Sequence, residues 1–264
     1  MLDDPRIGGL HDTASLDDIH GFRGLRQLKI VGHLPRITSF LPNIETPSLQ
    51  SLSLEDTAPY VTSDGEENPR RWRQVTSVIC SLFGRTVRNI SLKSRFAMPH
   101  DWSVEETVTG LITPLLGLRD LERFRCLFII ESVKMFITDS DIRLMAVSWP
   151  KIQELSLHQL YRPDLSPTIQ CLIDVARLSP HLRTFILSGV TVGTLVPLES
   201  VPDLSHELEQ LDLGYGTNYG YRFAEDLGQI IYRLFPNLDT TWNPRKNDGG
   251  WQRVLESVSK CQHN

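Results

Sequence analysis

The chain has 264 residues, 40% of them hydrophobic and 22% charged, an ordinary balance for a globular protein that can bury a core without disulfides or metal. Its formal net charge of -5 argues against a general nucleic-acid binder, which carries a basic excess. The opening MLDDPRIGGL has two acids and no apolar run of signal-peptide length, and no stretch approaches the ~18 uncharged apolar residues of a spanning helix. Neither a nucleic acid nor a membrane is expected as partner, and a cytoplasmic or nuclear location is. Cys80, Cys126, Cys171 and Cys261 form no CxxC pair, and three of them sit at apolar-patterned positions, which fits reduced, buried thiols.

Along the chain one unit recurs, with apolar residues at relative positions 1, 4 and 6. Residues 1–20 read as an N-terminal cap with a short helix around Leu16–Ile19. The first unit is Leu25, Leu28, Ile30, followed by a short helix around Ile37–Leu41, and the second is Leu49, Leu52, Leu54. Glu55–Pro69 is polar and acidic and predicts a protruding loop. Trp72, Val75, Ile79, Leu82 and Phe83 then share one helical face, and Val87, Ile90, Leu92 make the third unit. Val108, Leu111, Ile112, Leu115 and Leu116 form the next stripe, with Ser103 and Glu106 as its capping box, ahead of Leu121, Phe124, Cys126.

The central stretch TDSDIRLMAVSWPKIQELSL shows the whole unit most clearly. Thr138 and Asp141 cap a helix that buries Ile142, Met145, Ala146 and Trp149, Pro150 stops it, and Ile152, Leu155, Leu157 form the strand. Ser166-Pro167 predicts the next helix start, with Ile169, Leu172, Ile173 and Ala176 inward, ended at Ser179-Pro180 before Leu182, Phe185, Leu187. Leu208, Leu211, Leu213 is the seventh unit, Tyr215–Tyr221 a second loop, and Phe223, Leu227, Ile230, Ile231, Leu234 and Phe235 a helix stopped by Pro236. A worn eighth unit begins at Leu238, and a C-terminal capping helix follows Asp248 with Trp251, Val254, Leu255 and Val258 on one face.

Successive units start 24 to 38 residues apart, at or beyond the upper end of leucine-rich repeats. Helix followed by strand at that period predicts an α/β leucine-rich-repeat solenoid, a horseshoe with parallel strands on the concave face and helices on the convex face. It would fill residues 1–264 as one domain: cap 1–20, repeats 21–243, capping helix 244–264. The Asn or Cys common at position 9 is replaced by His33, Thr57, Arg95, Ile129, Leu160, Val190 and Gly216, so each turn must be built differently and the curvature should be uneven.

Strand side chains alternate, so positions 3, 5 and 7 face away from the core and form a candidate partner-binding face. Its residues are Lys29, Ser53, Asn89, Ser91, Lys93, Arg123, Arg125, Glu154, Ser156, His158, Thr184, Ser188 and Asp212. Lys93, Arg123 and Arg125 cluster near its centre, where they could receive an acidic or phosphorylated segment. The competing expectation, and the favoured one, is that Arg123 pairs sideways with Glu154. Trp102 and Trp242 lie near element ends, where packing is favoured over a role as exposed anchor.

No phosphate loop, HExxH or nucleophile elbow is present, the histidines show no ligand spacing, and Ser257-x-x-Lys260 is isolated. No catalytic, metal or cofactor site is therefore expected. The sequon at Asn89-Ile-Ser91 reads as chance in a chain without a secretion signal.

With the units laid out, GLRQLKIVG, TPSLQSLSLED, TDSDIRLMAVSWPKIQELSL and SPHLRTFIL make the chain, from about Phe22 to Pro236, resemble the leucine-rich-repeat region of fungal F-box-like proteins. The resemblance implies a target-recognition domain that binds a protein, in a family whose F-box recruits a cullin-type ubiquitin ligase. Residues 1–21 are too short for an F-box and lack its apolar pattern, so ligase subunits are expected as partners only if an F-box is supplied elsewhere. A free-standing repeat scaffold is the alternative expectation, and an enzyme with an unrecognised site the third.

Overall fold

The computed structural model describes residues 23–57, 67–96, 106–130, 135–159, 166–192, 196–214, 223–244 and 248–263. Seven strands form the main sheet: β1 (Gln27–Gly32), β2 (Ser51–Asp56), β3 (Asn89–Phe96), β5 (Arg123–Ile130), β7 (Glu154–Gln159), β8 (Thr184–Leu187) and β9 (Gln210–Asp212). They lie side by side in chain order, and every pairing is parallel. A second, two-stranded parallel ladder joins β4 (Glu106–Thr107) to β6 (Met135–Phe136).

The register follows the 1-4-6 unit without a slip. Leu28, Leu52, Ile90, Phe124, Leu155, Phe185 and Leu211 stand opposite one another across the sheet. A one-residue shift would turn every apolar side chain to the wrong face, so the repeated pattern itself holds the pairing. Six of the seven strands of the main sheet, all but β9, also begin with the same backbone device, a carbonyl that accepts two amides from the next unit. Arg26 O accepts from Gln50 N at 2.8 Å and Ser51 N at 2.9 Å, and Gln50, Arg88, Glu122, Gln153 and Arg183 repeat the arrangement.

The helices are α1 (Leu34–Phe40), α2 (Glu67–Phe83), α3 (Val108–Ile112), α4 (Asp139–Ser148), α5 (Gln170–Leu178), α6 (Ala224–Leu234) and α7 (Gly249–His263). Neighbours in the chain are neighbours in the layer, α1 on α2 through to α6 on α7. Each unit therefore buries its apolar face against the next, a solenoid-like arrangement. One continuous buried cluster runs from Leu34 to Val258 and takes in the inward strand positions and the helix stripes together. The described helices thus cover one face of the sheet and leave the other open.

Capping ties the helix layer together. Thr138 and Asp141 form the expected capping box: Asp141 N donates to Thr138 Oγ1 at 3.2 Å, and Thr138 N donates to Asp141 Oδ2 at 2.8 Å. The other oxygen of Asp141 accepts from Thr109 Oγ1 of α3, and Asp139 accepts from Thr168 N and Oγ1 ahead of α5 at 2.8 and 2.7 Å. The two aspartates of the central unit therefore look in opposite directions, one to each neighbouring unit. Trp149 closes α4, its Nε1 donating to Leu115 O at 3.0 Å and its ring centred 4.9 Å from that of Phe124.

Several expectations need correction. Leu82 is not on the buried stripe of α2; it is 42% exposed, while Thr76 takes the inward place and bonds Trp72 O and Leu111 O. Helix α3 is capped by Thr107, which accepts from Gly110 N, whereas Glu106 belongs to β4 and Ser103 lies outside the described residues. Helix α5 starts at Gln170 rather than beside Pro167, because Thr168 Oγ1 accepts the Gln170 amide and Thr168 pairs as a bridge with Thr191. Glu55 and Asp56 continue β2 and Glu67 already opens α2, so the expected loop does not include these residues, and 58–66 lie outside the described residues. The eighth unit adds one ladder bond, Asp239 N to Glu209 O at 2.8 Å, but forms no strand. There the Asp239 carboxylate captures Thr241 N and Oγ1 and folds the chain into a turn instead. The N-terminal cap and the Tyr215–Tyr221 loop lie outside the described residues. No described helix is long and apolar enough to cross a membrane.

Candidate functional site: the open face of the sheet

Strand alternation puts the candidate residues on the open face in three register rows. The middle row runs Lys29, Ser53, Ser91, Arg125, Ser156, Ile186, Asp212. To one side of it stand Asn89, Arg123, Glu154 and Thr184, and to the other Glu55, Lys93, Leu127 and His158. Within each row neighbours are one strand spacing apart, about 4.8 Å. All thirteen candidates lie on strands of the main sheet except Ser188, which follows β8 directly.

The charges are partly paired among themselves. Lys93 Nζ donates to Glu55 Oε1 at 2.6 Å, with Lys29 Nζ 3.7 Å from the other oxygen. These cations, Lys93 first, hold the Glu55 carboxyl below the usual carboxylate range against the opposing effect of burial. Arg125 forks onto Glu154, Nε to Oε1 and Nη2 to Oε2, the latter at 3.0 Å. That fork pushes the guanidinium further up from its ordinary value. The sideways pair was expected on Arg123; the structure gives it to Arg125. Arg123 stands directly opposite Glu154 in register, but Arg125 reaches back diagonally and covers the carboxylate. Arg123 is left exposed, with no ion pair among the described residues.

Beside this fork the face dips. A hollow of about 440 Å³ is lined by Ser91, Lys93, Arg125, Leu127, Glu154, Ser156, His158, Thr184, Ile186, Gln210 and Trp242. Small side chains make the depression: Ser156 sits at its floor, 3% exposed between larger neighbours. Leu127, Ile186 and Trp242 supply its apolar surface, and Glu154, Arg125 and Lys93 its charged edge. The hollow brings together seven of the thirteen candidates, Ser91, Lys93, Arg125, Glu154, Ser156, His158 and Thr184, and Arg123 stands beside it, in register with Glu154. Lys29, Ser53 and Asn89 lie towards the β1 edge, and Ser188 and Asp212 outside the hollow near β9.

Trp242 was not placed on this face by its sequence context, yet the eighth unit contains the signal. Counting Leu238 as position 1 puts Trp242 at position 5, the middle row of the open face. Its turn is firmly held. Trp242 N donates to Asp239 O at 3.3 Å, Asn243 Nδ2 to Gln252 Oε1 of α7 at 2.8 Å, and Gln262 Nε2 to Pro236 O and Leu238 O, each at 2.9 Å. The Thr241 hydroxyl and amide bonds hold the Asp239 carboxyl below the usual range. Helix α7 thus braces the turn that carries the tryptophan as well as covering α6.

Elsewhere reactive groups are put to structural use. Burial pushes the Cys80 thiol up to about 11 and the Cys126 and Cys171 thiols higher still, so thiolate is scarce at neutral pH. Ser257, of the S-x-x-K match, donates to Glu225 O at 3.2 Å and packs on Gly228. Among the described residues no group of three or more His, Cys, Asp and Glu could hold a metal ion. No family model matches the chain, and no curated protein matches it either.

Proposed function

We propose that this chain is a protein–protein interaction module of leucine-rich-repeat type, which reads a protein target on the open face of its sheet. The observation that carries the reading is the contrast between the two faces. One is sealed by helices into a continuous core, while the other presents in-register rows of serines and charged side chains around a hollow floored by Ser156. Small residues in rows leave room for another chain, and desolvated apolar surface inside a polar rim is the usual anatomy of a binding patch.

Partner capture with variants on the two faces tests it. Ser53→Trp and Ser91→Trp obstruct the open face without entering the core, and should abolish capture of proteins that Arg143→Trp on α4 leaves bound. Capture indifferent to the first pair and lost in the third would overturn the reading. The narrower role, target recognition for an F-box-like ubiquitin-ligase adaptor, rests on the sequence resemblance alone. It requires cullin-type ligase subunits in the captures made with the full-length protein; their absence favours the free-standing scaffold.

A further inference from the structure

Taking the open face as the binding face, we infer that its hollow receives one apolar side chain of an extended protein segment, and that an acidic residue of the same segment meets Arg123. This deepens the functional reading above and rests on it. The chain as a whole is acidic, but the open face is polarised. The strands β1, β2, β3 and β5 place Lys29, Lys93, Arg123 and Arg125 there against the single acid Glu55, whereas β7 and β9 contribute Glu154 and Asp212. Glu55 is engaged by two lysines and Glu154 by Arg125. Arg123 is the exposed cation that the fold leaves without an ion pair among the described residues, so it is the one able to accept a carboxylate without displacing another.

The apolar half is equally local. Leu127, Ile186 and Trp242 converge over the small Ser156, with His158 alongside. The turn that carries Trp242 is tied to α7, so the backbone on this side of the hollow is already ordered, which lowers the entropic cost of closing on a ligand side chain. An acid in that hollow would face Glu154, and an apolar side chain over Arg123 would desolvate it unpaired; the two halves therefore specify an order as well as a composition.

The spacing follows from the sheet. Arg123 is on β5 and Ile186 on β8, with β7 between them. Ile186 stands two residues further along the strand than Thr184, which is in register with Arg123, so two strand spacings and that offset make about 12 Å, which an extended segment covers in about three to four residues. A helical segment would need about eight. The expected motif is therefore an acid and a large apolar residue about three to four positions apart.

A library of random peptides selected on the full chain tests this directly, followed by binding of the labelled consensus peptide measured by fluorescence anisotropy. The expected result is enrichment of acid and apolar residues at the extended spacing. Arg123→Glu should weaken the consensus peptide by about tenfold or more. Exchanging the peptide's acid for lysine should restore binding to that variant. Ile186→Asp and Trp242→Ala should each remove binding, with unchanged thermal unfolding showing that the fold survives. No enriched peptide, the helical spacing, or a charge exchange without rescue would overturn the inference. A consensus lacking the acid but sensitive to Ile186→Asp would overturn it while leaving the open-face reading standing; binding indifferent to both substitutions would sink both.

Discussion

At the scale of single residues, polar side chains in the helix layer serve mainly to fasten neighbouring units. Asp141 is buried and accepts from Thr138 and Thr109 at once, so it closes one helix start and bolts it to the previous one. Asp141→Ala should cost about 2 kcal/mol in urea unfolding, since it removes a cap and strands the Thr109 hydroxyl. Asp139→Ala, which loses an exposed contact to Thr168, should cost less. His206 is the second such fastener. Its Nδ1 accepts from Leu208 N at 3.0 Å, so Nε2 carries the proton and donates to Ser179 O at 2.8 Å, and its ring meets Phe235 edge-on. Burial holds its pKa below the ordinary 6.5, against the opposing effects of the bond to Ser179 O and the charge of Glu207. The unfolded chain then binds the extra proton and the folded one does not, so this contribution is complete above pH 6.5 and is lost as pH falls towards the lowered folded value. Urea midpoints taken between about pH 7.5 and 5.5 should fall more steeply for the wild type than for His206→Gln.

At the scale of elements, the close contact of α6 with α7 decides how the end of the stack is covered. Gly228 has no room for a side chain: a Cβ would lie 2.4 Å from Ser257 Cβ and 3.1 Å from Val254 O. Alanine in a helix interior ordinarily gains about 1 kcal/mol over glycine. Here overpacking, at about 1–3 kcal/mol, should outweigh it, and Gly228→Ala should be destabilising in the wild type yet less so beside Ser257→Gly. A double-mutant cycle in urea measures that coupling. The turn after β9 is constrained differently, since Gly214 has φ 73° and a Cβ there would strike Ser188 O. Strands were the most legible elements in the sequence, because the 1-4-6 unit repeats seven times and register follows from it. Helix starts were less so: Ser103 and Ser166-Pro167 resemble caps locally, but α3 is capped by Thr107, placed by the ladder of β4 with β6, and α5 starts only after Thr168, which bridges to Thr191 and accepts the Gln170 amide. Such pairing between distant segments leaves no local sequence signature.

At the scale of the whole molecule, an open parallel sheet with one face sealed and the other bare divides stability from recognition. The face itself could be read from alternation alone, as could its serines and its cluster of cations. Which arginine pairs with Glu154 could not, because register places Arg123 nearest and only side-chain reach gives the fork to Arg125. Trp242 reads from sequence as a packing residue near an element end rather than as part of this face, because its unit loses its strand to the Asp239 turn, although the position count still holds. Partner binding governed by the β3–β5 end of the face should weaken as salt is raised, since its cations are exposed and screened, even though the chain carries a net charge of -5. The most direct test of the open face as the recognition surface is site-specific photo-crosslinking in cells, with a photoreactive residue introduced at Ser91 and, in a separate variant, at Leu144 on the outer side of α4. Adducts formed through position 91 and not through position 144 are the predicted result. Adducts through position 144 alone would contradict the account.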